Sequence, residues 1–183
     1  LENNLDMKAL NERWVRWYSC SQCEQDYHGV VQCALGWACW KTYVGRPETD
    51  RSRQLAMSEL GNGLYDAGHH KDALPVIEAQ LSLRRRFGES KYNMLALQGN
   101  LANSYTALGR LEEALRTERD VYSGWLRLYG EEHERTFTAA NNCAWTLEEL
   151  RRYDEAKTLM RKTLPVARRV LGESAQPTLM MRW

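Results

Sequence analysis

Cys20 and Cys23 are separated by two residues, a spacing at which two thiolates can share one zinc ion. Zinc takes four thiolate or imidazole ligands, so the pair supplies half a site. Cys33 and Cys39 do not complete it, because residues six apart on a helix point in different directions and neither follows at finger spacing. His28 is a residue that could be recruited. The plainer reading is a pair of reduced thiols, with Cys33, Cys39 and Cys143 as small core residues. His69 and His70 fall in a turn between predicted helices, and His133 in a linker. No Gly-rich phosphate loop, Gly-x-Ser-x-Gly elbow or His-Glu-x-x-His pair occurs, and no carboxylate pair stands out from ordinary helix-surface charge. The chain is therefore expected not to be an enzyme, and to need no cofactor beyond a possible zinc in the intact protein.

The elements that carry these residues are helices. The 183 residues are 43% hydrophobic and 27% charged, enough apolar side chain for a core. With 25 basic and 24 acidic side chains the net charge is +1, which gives no electrostatic reason to expect nucleic acid or an anionic membrane as partner. No apolar run approaches the roughly 20 residues that would cross a bilayer, so no membrane insertion is expected, and the polar opening Leu1-Glu2-Asn3-Asn4 is no secretory signal. Five cysteines in such a chain suggest the cytoplasm or another reducing compartment. The chain opens on Leu and stops at Trp183 inside an apparent new helix, and so reads as part of a longer protein.

A repeat organises it. Phe87-Gly88-Glu89, Tyr129-Gly130-Glu131 and Leu171-Gly172-Glu173 recur at steps of 42 residues. Arg110-Leu111-Glu112-Glu113-Ala114 returns 42 residues later as Arg152-Tyr153-Asp154-Glu155-Ala156, and His69-His70-Lys71-Asp72-Ala73 precedes it by 41. Each unit reads as two helices. Leu97, Leu101, Tyr105 and Leu108 form one stripe before Gly109; Ala114, Leu115, Val121, Trp125 and Leu128 form the next before Gly130. Ala114 is small enough for close helix approach. Asn62-Gly63 would suit a hairpin turn, but the repeat register places it inside a helix, where Gly61 and Gly63 each cost roughly 1 kcal/mol of propensity. Residues 51–90, 91–132 and 133–174 make three repeats, and Pro177-Thr178-Leu179 opens a further helix. Upstream, residues 1–26 hold a helix and the thiol pair, and residues 27–50 an orphan second helix, Tyr27 to Tyr43, whose Trp37, Trp40 and Tyr43 would cap the stack.

Leu101-Ala102-Asn103-Ser104-Tyr105 with Gly109-Arg110-Leu111-Glu112-Glu113-Ala114, and Gly130-Glu131-Glu132-His133 with Thr136, resemble the tetratricopeptide family in its 42-residue, kinesin-light-chain-like form. The resemblance covers roughly residues 51–183. It implies an all-α, right-handed α-solenoid with each first helix lining a concave groove. Arg151 stands where Gly109 stood, a departure at the turn within the third repeat. Trp14-Val15-Arg16-Trp17-Tyr18-Ser19-Cys20-Ser21-Gln22-Cys23, followed by Tyr27, resembles the end of a RING-CH zinc finger. That implies zinc on Cys20 and Cys23 only if the rest of a finger precedes Leu1.

The family register puts Asn62, Tyr65, Asn103, Thr106, Asn141, Trp145 and Glu148 on the concave side. Asn amides can pair with an extended backbone, and Trp145 could anchor a side chain or pack on the neighbouring repeat. The arginines of Arg84-Arg85-Arg86, Arg161 and Arg168-Arg169 read as a solvated outer face. The expected function is a scaffold that binds another protein, as a peptide or helix, in the groove. Alternatives are the substrate-recognition part of a RING-CH-type ubiquitin ligase and a structural subunit of a larger assembly.

Overall fold

The computed structural model describes residues 14–175 and Thr178. Among the described residues seven helices have defined bounds: α1 (Gly29–Tyr43), α2 (Arg51–Asp66), α3 (His70–Arg86), α4 (Lys91–Ala107), α5 (Leu111–Tyr129), α6 (Glu134–Glu149) and α7 (Tyr153–Leu171). Among the described residues the β-structure amounts to one isolated bridge, Ser19 to Asp26. The protein is all-α, a helical-repeat solenoid in class, as the 42-residue period predicts. It divides into two compact units that meet between Gly88 and Glu89. Among the described residues no helix is long and apolar enough to cross a membrane.

In the first unit α2 packs on both α1 and α3. Asp50 caps α2, its carboxylate accepting the Arg53 amide at 3.1 Å, and the Asp66 carboxylate at the other end accepts the Gly29 amide that opens α1. Asn62-Gly63 lies inside α2, as the register requires. Gly63 has a further role. Its Cα side faces the α1 backbone so closely that a Cβ there would sit 2.7 Å from the Gln32 carbonyl oxygen. Gly36 does the same from α1, with the Glu59 carbonyl oxygen 2.6 Å from its would-be Cβ. The two helices therefore run antiparallel at backbone contact. Trp14, Cys39 and Ala56 form a buried cluster at this crossing, flanked by Trp17, Trp40 and Tyr43. The ring of Trp14 lies 5.4 Å from that of Tyr43, and its indole N–H donates to Glu59 Oε1 at 3.2 Å. Trp37, expected among the capping aromatics, is instead 44% exposed.

In the second unit α4 packs on α5, α5 on α6, and α6 on α7. Its main core joins Leu115 of α5 to Phe137, Ala140, Ala144 and Leu147 of α6 and Ala156, Met160 and Ala167 of α7. Phe137 is 1% exposed, and burial of such a side chain contributes about 2–3 kcal/mol. Ala114 and Ala156 are fully or nearly buried, as close helix approach demands. A smaller cluster sets Val121 and Trp125 of α5 against Leu95 and Ala96 of α4 and Ala139 of α6.

Each turn from first to second helix repeats one hydrogen-bond pattern. The amide of His69, Arg110 or Arg152 donates back to the carbonyl of Leu64, Tyr105 or Leu147 at 2.9, 2.9 and 2.7 Å. The residue before each donor takes a left-handed conformation: Gly68 (φ 79°), Gly109 (φ 72°) and Arg151 (φ 59°). This is the helix-ending turn in which a six-to-one bond satisfies an orphan carbonyl. Arg151 thus makes the glycine-type turn despite its side chain, because the pattern on either side over-determines it. Between repeats, the Thr136 hydroxyl donates to the Gly130 carbonyl at 2.8 Å, and His133 caps α6 with its Nδ1 accepting the Arg135 amide at 3.1 Å.

Candidate protein-interaction surface

Helical periodicity determines which side chains share a face; packing determines which of those remain reachable. In α6, Asn141, Trp145 and Glu148 follow at steps of four and three, and so lie along one face. Asn141 and Glu148 are half-buried. Trp145 is 49% exposed, although the neighbouring Ala144 and Thr146 are both fully buried. An indole so placed presents a broad apolar ring to solvent within an otherwise polar row, an arrangement suited to anchoring a partner. Desolvation pushes the Glu148 carboxyl above its ordinary pKa, and the adjacent Glu149 adds to the rise.

In α4, Asn103 and Thr106 are half-buried one turn apart, and the Thr106 hydroxyl is buried without a hydrogen-bond partner. These five expected residues therefore occupy the two first helices, α4 and α6, of the second unit. The remaining two lie in α2 of the first unit. Asn62 is exposed, while Tyr65 is half-buried, its ring centroid 4.9 Å from the imidazole of His70. His70 is not a solvated turn residue but the first residue of α3.

A groove of about 520 Å³ runs along α7, lined by Tyr153, Ala156, Lys157, Met160, Leu164 and neighbours, with Glu148 of α6 at its edge. Helical periodicity in the sequence places these side chains on one face; packing buries Ala156 and Met160 and leaves Tyr153 and Lys157 exposed.

The thiol pair lies in a tight turn closed by the Cys20 amide donating to the Gln25 carbonyl (2.9 Å) and the Tyr27 amide to the Tyr18 carbonyl (2.7 Å). Amide hydrogens of Cys23 and Gln22 point at the Cys20 sulfur, with the Cys23 thiol and Tyr27 hydroxyl also within hydrogen-bond reach. Together they lower the Cys20 pKa to about 7. Among the described residues no group of three His, Cys, Asp or Glu side chains could hold a metal ion. Cys39 and Cys143 are buried thiols, each pushed up to about 12, chiefly by desolvation.

Residues 93–169 match the tetratricopeptide repeat family. No curated protein sequence matches the chain. Its fold is similar to that of BtubC (BKLC) from P. vanneervenii, with a TM-score of 0.66 at 18% identity over 82% of this chain; the match spans 61% of that chain. The nearly identical TPR-like repeats of a Podosopora anserina kinesin light chain superpose with a TM-score of 0.67 at 20% identity, covering 82% of this chain and 70% of that one. The apo form of RapI gives 0.63 at 12% identity, over 76% and 49% of the two chains. Helix order, turn geometry and these likenesses show a helical-repeat fold, with tetratricopeptide-type repeats over residues 93–169.

Proposed function

We propose that the scaffold binds a peptide or helix of another protein along the first-helix face of its second unit, with Trp145 as the anchor and Asn103, Asn141 and Glu148 as polar contacts. The observation that carries this is the half-exposed indole of Trp145 set in a row whose neighbours are buried. Five free cysteines, two of them buried, go with a reducing compartment such as the cytoplasm. Trp145→Ala is expected to weaken partner capture by the intact protein about tenfold or more, the loss typical of a central aromatic anchor. Helicity should stay unchanged, because the side chain is half in solvent. Affinity capture with quantitative mass spectrometry on wild type and variant, each checked by circular dichroism, measures it. Equal recovery of every partner would remove Trp145 from the site.

A second reading is favoured by the turn around Cys20 and Cys23. Amide hydrogens directed at a cysteine sulfur stabilise a thiolate, the form that ligates zinc. In this reading the two residues supply two of four ligands in an intact zinc-finger protein of the ubiquitin-ligase kind, whose repeats select the substrate. Metal analysis of the intact protein is expected to find zinc that Cys20→Ser and Cys23→Ser each release. Unaltered metal content in both variants would eliminate the reading.

A further inference from the structure

We propose that the Trp145 face takes an arginine of its partner, with the guanidinium seated on the indole and paired with Glu148 and Glu149. This rests on Trp145 being the anchor and adds the chemistry of what it holds.

Trp145 lies three residues before Glu148 and four before Glu149. At those spacings both carboxylates stand beside the indole, with about 5–6 Å between Cβ atoms. Trp145 is 49% exposed, Glu149 is exposed and Glu148 half-buried. Among the described residues no ion pair reaches either glutamate. Desolvation raises the Glu148 pKa, the Glu149 charge adds to the rise, and no cation opposes it. An open aromatic ring beside two carboxylates lacks only a cation, and tryptophan is the ring that attracts cations best. Asn141, one turn before Trp145, adds an amide oxygen that can accept a remaining N–H.

The completed arrangement occurs in the same unit. Arg110 lies over the ring of Tyr105 at 4.6 Å, and its Nε and Nη2 donate to the two Glu113 carboxylate oxygens at 2.6 and 2.5 Å. Ring and carboxylate hold one guanidinium between them there. The planar fork of arginine suits both partners at once, which the point charge of lysine does not. Around Trp145 the ring and the carboxylates are present, and an arginine of the partner completes the set.

Stacking of a further repeat does not close this face. At an offset of 42 the counterparts of Trp145, Glu148 and Glu149 are Asn103, Thr106 and Ala107 of α4. There the next repeat is in place, as α6 and α7, yet Ala107 is exposed and Asn103 and Thr106 are only half-buried. On α6 the residues that join the core with α5 and α7 are Phe137, Ala140, Ala144 and Leu147, on the other sides of the helix. None of the three α4 counterparts is aromatic or charged. The ring and both charges therefore arrive together, at one position in the stack.

The test uses the full chain against a display library of random peptides, with enriched sequences remade as labelled peptides. Arginine should be enriched above its library frequency, and above lysine, in peptides whose binding Trp145→Ala removes. Replacing that arginine by citrulline keeps the shape, removes the charge and leaves the protein untouched. Fluorescence anisotropy should then show a loss of affinity of about tenfold. Glu148→Gln with Glu149→Gln should weaken the arginine peptide by a similar factor, change the citrulline peptide little and flatten the salt dependence. Circular dichroism checks that the double variant keeps its helices. Peptides that need Trp145 but show no excess of arginine overturn this inference and leave the anchor standing. An excess of Asp and Glu overturns it as well. If no enriched peptide depends on Trp145, the anchor falls and the inference falls with it.

Discussion

Gly63→Ala and Gly36→Ala are each expected to destabilise the first unit by about 1–3 kcal/mol, the range seen when a well-packed contact is overfilled. The sign is the informative part. In a helix interior alanine is favoured over glycine by about 1 kcal/mol, so helix propensity alone would predict stabilisation. Here the atoms that meet the new methyl are backbone. They are the Gln32 carbonyl oxygen at 2.7 Å and the Cys33 Cα at 2.9 Å for Gly63, and the Glu59 carbonyl oxygen at 2.6 Å for Gly36. A side-chain tip can rotate away from such a contact, whereas a helix backbone moves only if the whole helix does. Either methyl would part α1 from α2 and loosen the cluster of Trp14, Cys39 and Ala56 with it. Gly99→Ala in α4 is the control, because a Cβ there meets nothing within 4 Å. It should stabilise its helix by up to about 1 kcal/mol. Urea denaturation followed by tryptophan fluorescence measures all three. A Gly63→Ala variant that gains stability as Gly99→Ala does would refute the close crossing.

This crossing also shows where sequence reading stops. The 42-residue period identifies Gly63 as helical and α1 as a helix outside the repeats, since both follow from spacing along the chain. What Gly63 is for depends on Gln32, some thirty residues away, and no local pattern reports that distance. The same limit applies at the turns. Arg151 looks like a departure from the Gly109 turn until the Arg152 to Leu147 hydrogen bond shows the same geometry. It applies again to the interaction faces. Spacing aligns Asn141, Trp145 and Glu148 on one side of α6, but which of them stays in solvent is decided by what α5 and α7 cover. Cys39 and Cys143 are core residues as their type suggests, whereas Cys33, read the same way, is only half-buried, so type alone does not decide burial.

Glu118→Gln is expected to raise stability at neutral pH and to leave it unchanged near pH 4. Glu118 lies in the α5–α6 contact, 5% exposed, at the register position that Met160 fills one repeat later. The Thr146 hydroxyl donates to its Oε1 at 3.0 Å, but Oε2 is buried without a partner. Among the described residues no cation pairs with it. Arg119, next in sequence, is paired with Glu155 at 2.7 Å, and on α6 the nearby Cys143 is a buried thiol that the glutamate itself helps to push up. Desolvation consequently raises the Glu118 pKa, against the smaller opposing effect of Thr146. The folded state thus holds its proton to higher pH than the unfolded chain, in which a glutamate titrates near about 4.3. Where the native state binds the extra proton, stability falls as pH rises. The loss begins above the unfolded pKa and is complete once pH has passed the folded one. A glutamine keeps an acceptor for Thr146 and has no charge to bury. The stability of the variant relative to wild type should therefore grow from near zero at pH 4 to about 1–2 kcal/mol at pH 8, on the scale of one buried unsatisfied polar group. Urea midpoints measured across that range give the difference directly. A constant offset between the two proteins would mean that Glu118 titrates alike in the folded and unfolded chains, and that its burial does not control the carboxyl.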